Sequence, residues 1–409
     1  MNIAAISYKL IFISTLLLVS QLGTCQSNHN PEQQSGRINF HINETVTNKE
    51  EAYFQAITSL WIAYLESGQY VRTESDFWNY EGMNFPDYSY IQLLLEIRSI
   101  LQRGENISCN IIGLIPVGNN NYLLKCMFTQ QDSIAKESQL RYIVSIYAKR
   151  SNDKYEFINS TQYHKEVWDQ ETVGSVNYYI HPEHEFDELE ANQMNEFNHM
   201  IADKFATEPI AFDYVVTNNT TQLNQLLGYD YNPYSYRPSQ TGGLADNYNS
   251  IIYAGNNSSY YPHEVVHLYT NKLFAGQYHS WVDEGIATYF GGSSGYYLDW
   301  HLQKLKLFLA EHPNYELDDL SKLEKEIPNG EYTTDFRYAI GGLIIKKLYE
   351  QEGMEGLFDA LRYGRTEASY FSLLEEKLQV SRADFGDYIR RELSHIAVKD
   401  DTEMNALKY

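Results

Sequence analysis

Apolar residues recur at helical spacing over residues 50–67, where Phe54, Ile57, Leu60, Trp61 and Tyr64 share one face, and this predicts a first helix. A second is expected over residues 87–102. The pattern then changes to strand-like runs at 108–115, 122–129, 139–148 and 154–158, with Asn119-Asn120-Asn121 as a turn between the first two. Two helices followed by an antiparallel meander make a small α+β domain over residues 48–168. It holds no constellation of catalytic residues and reads as a scaffold or substrate-positioning domain, with His164 and Trp168 as packing between domains.

From residue 172 the alternation resumes. A strand is expected over 175–181, a helix over 186–207, and further strands over 212–217 and 250–254. Between the last two, residues 232–249 form a loop rich in Tyr, Pro, Gly and Asn, whose Tyr234, Tyr236 and Arg237 could border a cleft. Past residue 297 the pattern is helical at 297–311, 335–351, 354–362, 367–378 and 381–394. The pair Gly341-Gly342 lies inside an apolar stretch, where missing side chains allow close helix packing. The whole is an α+β chain with a second domain over residues 172–398.

Charge narrows the partners. Asp and Glu number 54 against 31 Lys and Arg, a net charge of -23, which argues against nucleic acid or an anionic membrane surface. Thirty-six tyrosines read as a compositional habit alongside abundant Asn. At the amino terminus, Lys9 precedes an apolar run over residues 10–19, too short for a domain helix or a membrane span, so residues 1–25 are expected to be a targeting leader. Cleavage after Cys25 is one reading. Leu22-Gly23-Thr24-Cys25 is also an imperfect bacterial lipobox, which would lipidate Cys25 and leave residues 26–47 as a polar linker. Either way the protein is expected to be exported: secreted, periplasmic or lipid-anchored, with membrane attachment only through Cys25. Cys109 and Cys126 are then either a disulfide or two buried thiols.

The chemistry concentrates in two segments. His263-Glu264-Val265-Val266-His267 is an HExxH motif, and on a helix its histidines, four residues apart, reach one metal ion from the same face. Glu264 then stands where a general base for water is needed. Trp281-Val282-Asp283-Glu284-Gly285 follows, and Glu284 supplies a third ligand from a second helix. Two histidines and a carboxylate with one open position form a catalytic zinc pattern, whereas structural zinc is closed by four protein ligands. Pro262 suits a first helical turn, Ser258 and Ser259 are candidate N-caps, and Gly276 is a candidate stop. Asp283 is a candidate to orient a ligand histidine, but its place beside Glu284 on a helix points it elsewhere and favours the surface. His279 could contact substrate, with a partly exposed histidine the plainer reading. His181 and His184 are read as loop residues, and His301 and His312 as helix residues without a partner.

HEVVH followed by WVDEGIATYF resembles the gluzincin zinc peptidases, in the peptidase MA-like branch that carries W-x-x-E-G-x-A-x-Y. The match spans about residues 173–396, and its specificity lies in the two metal segments. It implies a thermolysin-like catalytic domain, zinc held by His263, His267 and Glu284, Glu264 as general base, and a peptide or protein as substrate. The stretch Thr241-Gly242-Gly243-Leu244-Ala245-Asp246, then Ser250-Ile251-Ile252-Tyr253, resembles that branch's edge strand before the metal helix. Tyr338, in Phe336-Arg337-Tyr338, stands where the family places an oxyanion donor, with Tyr332 as the other candidate. The G-x-M-E-N segment that binds a free amine in the aminopeptidases is missing, which favours an endopeptidase. The competing classes are a gluzincin-fold binding or scaffold protein without turnover and a hydrolase of non-peptide amides.

Overall fold

The structure, a computed structural model, describes residues 36–131, 137–233, 242–323, 326–327, 334–397, 399 and 404. The expected leader with Cys25, and Tyr234, Tyr236, Arg237 and Tyr332, lie outside these residues. The protein is α+β, and contacts divide it into two compact units.

The amino-terminal unit contains β1 (Ile38–Ile42), α1 (Ala52–Ser67), α2 (Ile91–Gln102), β2 (Ile107–Gly118), β3 (Asn121–Gln131), β4 (Ser138–Ser151), β5 (Lys154–Ile158) and α3 (Ser160–Lys165). The strands lie side by side in that order. Asn119 and Asn120 turn β2 into β3 at φ of 50° and 60°, a left-handed conformation that asparagine tolerates better than most residues. Trp61, Tyr64 and Phe157 pack together in the core, Trp61 edge to face on Phe157 and the other pairs tilted, and each fully buried ring contributes roughly 1.5–3 kcal/mol. Cys109 and Cys126 are free, buried thiols on β2 and β3.

Two expectations for this unit need correction. Residues 38–42, expected within a polar linker, form β1, which runs parallel to β2 from Ile38 opposite Ile107 to Ile42 opposite Ile111. Only a partner distant in sequence makes this strand, so a local pattern does not reveal it. The unit also includes residues beyond 168. The chain returns to it from Thr220, through a helix Thr220–Leu226 and a strand Tyr229–Tyr231 that pairs antiparallel with β4 at Ile143 and Val144. His164 and Trp168 pack on each other inside the unit, ring centroids 5.0 Å apart, with Tyr147 and Tyr163 beside His164.

The second unit holds β6 (Asp169–Val173), β7 (Val176–Ile180), α4 (Glu188–Lys204), β8 (Phe212–Val216), β9 (Gly242–Asp246) and β10 (Ile251–Gly255). They form a mixed sheet in the order β9-β10-β8-β7-β6, with β7, β8 and β10 parallel and β9 antiparallel at one edge. Helices follow: α5 (Pro262–Phe274), α6 (Ser280–Gly291), α7 (Leu298–Glu311), α8 (Gly342–Arg362), α9 (Glu367–Leu378) and α10 (Phe385–Ser394). Gly353 breaks α8 at φ 61°, where the sequence pattern separates two helices. A π-helical turn, Arg337–Gly341, leads into α8.

Glycines bring these helices unusually close. A Cβ on Gly285 of α6 would lie 2.6 Å from the Gly341 carbonyl, and one on Gly291 would lie 2.7 Å from the His263 backbone nitrogen. The first contact draws the turn bearing Tyr338 against α6. The second draws the end of α6 against the start of α5, so three segments meet around one point.

Candidate metal centre

Helix α5 starts with Pro262 at its first position, where a missing N–H costs no helical hydrogen bond, and ends as Ala275 and Gly276 turn left-handed. Ser258 and Ser259 are not its caps. Glu190 of α4 accepts the Ser258 hydroxyl and the Ser259 N–H, both at 2.7 Å, and so fixes the approach to the helix. Helix α6 is capped by His279, whose Nδ1 accepts the Trp281 N–H at 3.3 Å.

The structure brings His263, His267 and Glu284 together, and all three are buried. His263 Nε2 lies 3.2 Å from Glu284 Oε2 and 3.2 Å from His267 Nε2, while the last two atoms are 3.8 Å apart. Ligands bonded at about 2.0–2.1 Å around a tetrahedral zinc stand about 3.3 Å from one another, so the donor triangle fits that ion. Both opposite ring nitrogens are engaged. His263 Nδ1 donates to the Gly292 carbonyl at 2.6 Å, and His267 Nδ1 donates to Asp283 Oδ2 at 2.9 Å. That fixes the rings and aims both Nε2 lone pairs at the same space. Glu284 is 0% exposed, and its Oε1 has no hydrogen-bond partner, an unsatisfied buried acceptor that a cation would satisfy.

Asp283 therefore does not sit at the surface, as its place beside Glu284 suggested. Consecutive helical residues diverge by about 100°, yet α5 spans both directions: Glu284 meets His263, and Asp283 meets His267 one turn on. The second oxygen of Asp283 accepts the Thr270 hydroxyl at 2.6 Å, which holds the carboxylate against the ring.

The ionisable groups of the cage shift one another strongly. Burial pushes the Glu284 carboxyl up, but the hydrogen bond from His263 and the charges of His267, His263 and Arg337 outweigh it and bring the group down to about 2. Burial works against a charged His267, but Asp283 above all, then Glu284 and Glu264, raise it to about 10. Glu264 moves the other way. Its burial, reinforced by Glu284 and Asp283, raises its carboxyl despite the two histidines. It is 7% exposed and makes no hydrogen bond among the described residues. A carboxyl of this kind is set to take up a proton.

Tyr338 is half-buried, and its ring packs edge-on against His263 with centroids 5.6 Å apart. His181 and His184 lie in the loop after β7, with His184 Nδ1 at 3.0 Å from Asn257. Of the remaining histidines, His301 departs from expectation, whereas His279 is partly exposed as expected. His279 is a helix cap stacked on Tyr370 at 4.9 Å, and His301 is wholly buried with three hydrogen-bond partners. Burial depresses both, each from 6.5 to about 4. Between these values the unfolded chain binds protons that the folded protein refuses. Their stabilisation is thus complete above about pH 6.5 and is lost as pH falls toward 4, by up to about 3 kcal/mol per histidine. Urea unfolding at pH 7.5 and 4.5 should show this, and His279→Asn, which keeps a capping oxygen, should lessen the acid loss. An unchanged pH dependence in that variant would refute the assignment for His279.

No protein-family model matches the chain, and no curated protein matches it. Among solved structures it is similar to an M1 zinc metallopeptidase from Deinococcus radiodurans, crystallised as a mutant with a Tyr-Ser-Ala substrate. The identity is 10% and the TM-score 0.26, over 73% of this chain and 68% of that one. A likeness that distant carries no argument; the residues of the cage do.

Proposed function

We propose that the protein is an exported, zinc-dependent metallopeptidase of the gluzincin type that hydrolyses internal peptide bonds. The observation that carries the proposal is the buried triangle of His263 Nε2, His267 Nε2 and Glu284 Oε2, with both Nδ1 atoms tied back and Glu284 Oε1 unsatisfied. When bound by these residues, zinc supplies Lewis acidity toward the scissile carbonyl and makes water a stronger acid. Glu264 takes the proton of the attacking water and later gives it to the leaving amine. Tyr338 donates its hydroxyl to the carbonyl oxygen as negative charge builds there. Strand β9 ends the sheet on its outer side, and an extended peptide added along it would be held by main-chain hydrogen bonds. Export rests on the leader pattern of residues 1–25 and is read from sequence.

The test is metal dependence. Purified mature protein should contain about one zinc per chain and cleave members of a mixed peptide library; a chelator should abolish cleavage, and added zinc should restore it. Cleavage that survives complete metal removal would refute the proposal. A zinc-loaded protein that cleaves no peptide would place the chain in the binding or scaffold class.

A further inference from the structure

His301 lies on α7, is 0% exposed and touches none of the three metal-donor atoms, yet every group it binds leads to the metal cage. Its Nε2 lies 3.1 Å from the Ser293 carbonyl and 3.2 Å from the Tyr296 carbonyl. Two carbonyl acceptors require a hydrogen on Nε2, so in the neutral ring Nδ1 is bare and accepts the Thr334 hydroxyl at 2.7 Å. Ser293 directly follows Gly292, whose carbonyl receives His263 Nδ1–H. The Ser293–Tyr296 turn closes on itself through paired backbone hydrogen bonds of 2.8 and 2.9 Å, so holding its carbonyls holds the turn as a unit. Thr334 begins the segment that runs through Asp335 and Arg337 into Tyr338. The His301 ring also meets the Tyr338 ring edge-on at 6.0 Å, and that same tyrosine ring meets His263 at 5.6 Å.

We infer that His301 is a positioning residue of the metal centre: it ties the turn bearing the Gly292 carbonyl to the segment bearing Tyr338, and so sets the His263 ring and the tyrosine together. The inference rests on the zinc reading of the site, though not on peptidase activity. Outer hydrogen bonds of this kind typically change metal affinity about 10–100-fold when removed.

The experiment compares His301→Leu, His301→Asn and His301→Gln with the wild type by zinc affinity in dye competition and by the visible spectrum of the cobalt-substituted protein. The Gln amide reaches the Nε2 position and keeps a donor for the two carbonyls; Asn reaches only the Nδ1 position, and Leu has no polar atom. Zinc affinity should fall on the order of tenfold in the Leu and Asn variants, with an altered cobalt spectrum, and return to near wild type with Gln. If peptide turnover is present, kcat should fall in the Leu and Asn variants while KM changes little. A residue that only holds the core together would lower the melting temperature in all three and leave zinc affinity and the cobalt spectrum unchanged in the folded protein. That result overturns the inference. Should the Leu variant fail to fold, the Asn and Gln pair decides. Wild-type protein that binds no zinc defeats the metal reading itself, whereas bound zinc without peptide turnover defeats only the peptidase reading.

Discussion

Glu264→Gln should abolish peptide cleavage, lowering kcat on the order of 10²–10⁴-fold, the range a general base supplies, while zinc stays bound at about one per chain. The replacement keeps the volume of a side chain that is 7% exposed and removes only its ability to take a proton. Glu264 is not one of the three donors, and it makes no hydrogen bond to His263, His267 or Glu284, so the cage should survive the change. Its carboxyl stands above the ordinary value because burial outweighs the two neighbouring histidines, the environment of a group that exchanges protons. Steady-state kinetics and metal analysis on the same preparation check both halves. Full activity in the variant would mean that another group removes the proton, and the mechanism would be wrong.

Glu284→Ala should cost zinc affinity more than any change outside the donor set. The residue is 0% exposed, one oxygen closes the donor triangle, and the other has no partner. Without it two histidines remain, short of the three protein ligands that catalytic zinc sites use. Asp283→Asn is the comparison. It keeps an acceptor for the Nδ1–H of His267 but removes the charge, and the loss should stay within about 10–100-fold. Dye competition at fixed pH measures both, fixed because metal and protons compete for His267. Wild-type zinc affinity in Glu284→Ala would exclude the carboxylate as a ligand.

The elements that depend on local periodicity were legible. Helix α1 with its stripe of Phe54, Ile57 and Trp61, the β2–β3 turn at Asn119-Asn120, and the break near Gly353 all follow from short-range pattern. The spacing of His263 and His267 likewise gave their common helical face, because four residues are about one turn. What the pattern concealed depends on where distant segments meet. β1 exists through parallel pairing with β2, more than sixty residues on. Asp283 turns inward because of the way α6 crosses α5, and no spacing within α6 reveals that. His301 gave no sign of its role, since its partners at Ser293, Tyr296 and Thr334 meet it only once the turn and the strand are folded. The serines before Pro262 show the opposite failure: a good local capping signal was overridden by Glu190.

The return of the chain to the amino-terminal unit after Thr220 bears on how the protein is made. The strand Tyr229–Tyr231 pairs with the same side of β4 that β5 occupies farther along. As the chain leaves the ribosome, residues through Asp169 emerge without the piece that covers this edge of β4, and the first strands of the second unit are made before it arrives. The earlier unit thus stays unfinished while the later one begins, and an open strand edge invites pairing with other chains. Cutting the gene at the apparent boundary near residue 170 would make that temporary state permanent in one fragment and strand an unpaired segment in the other.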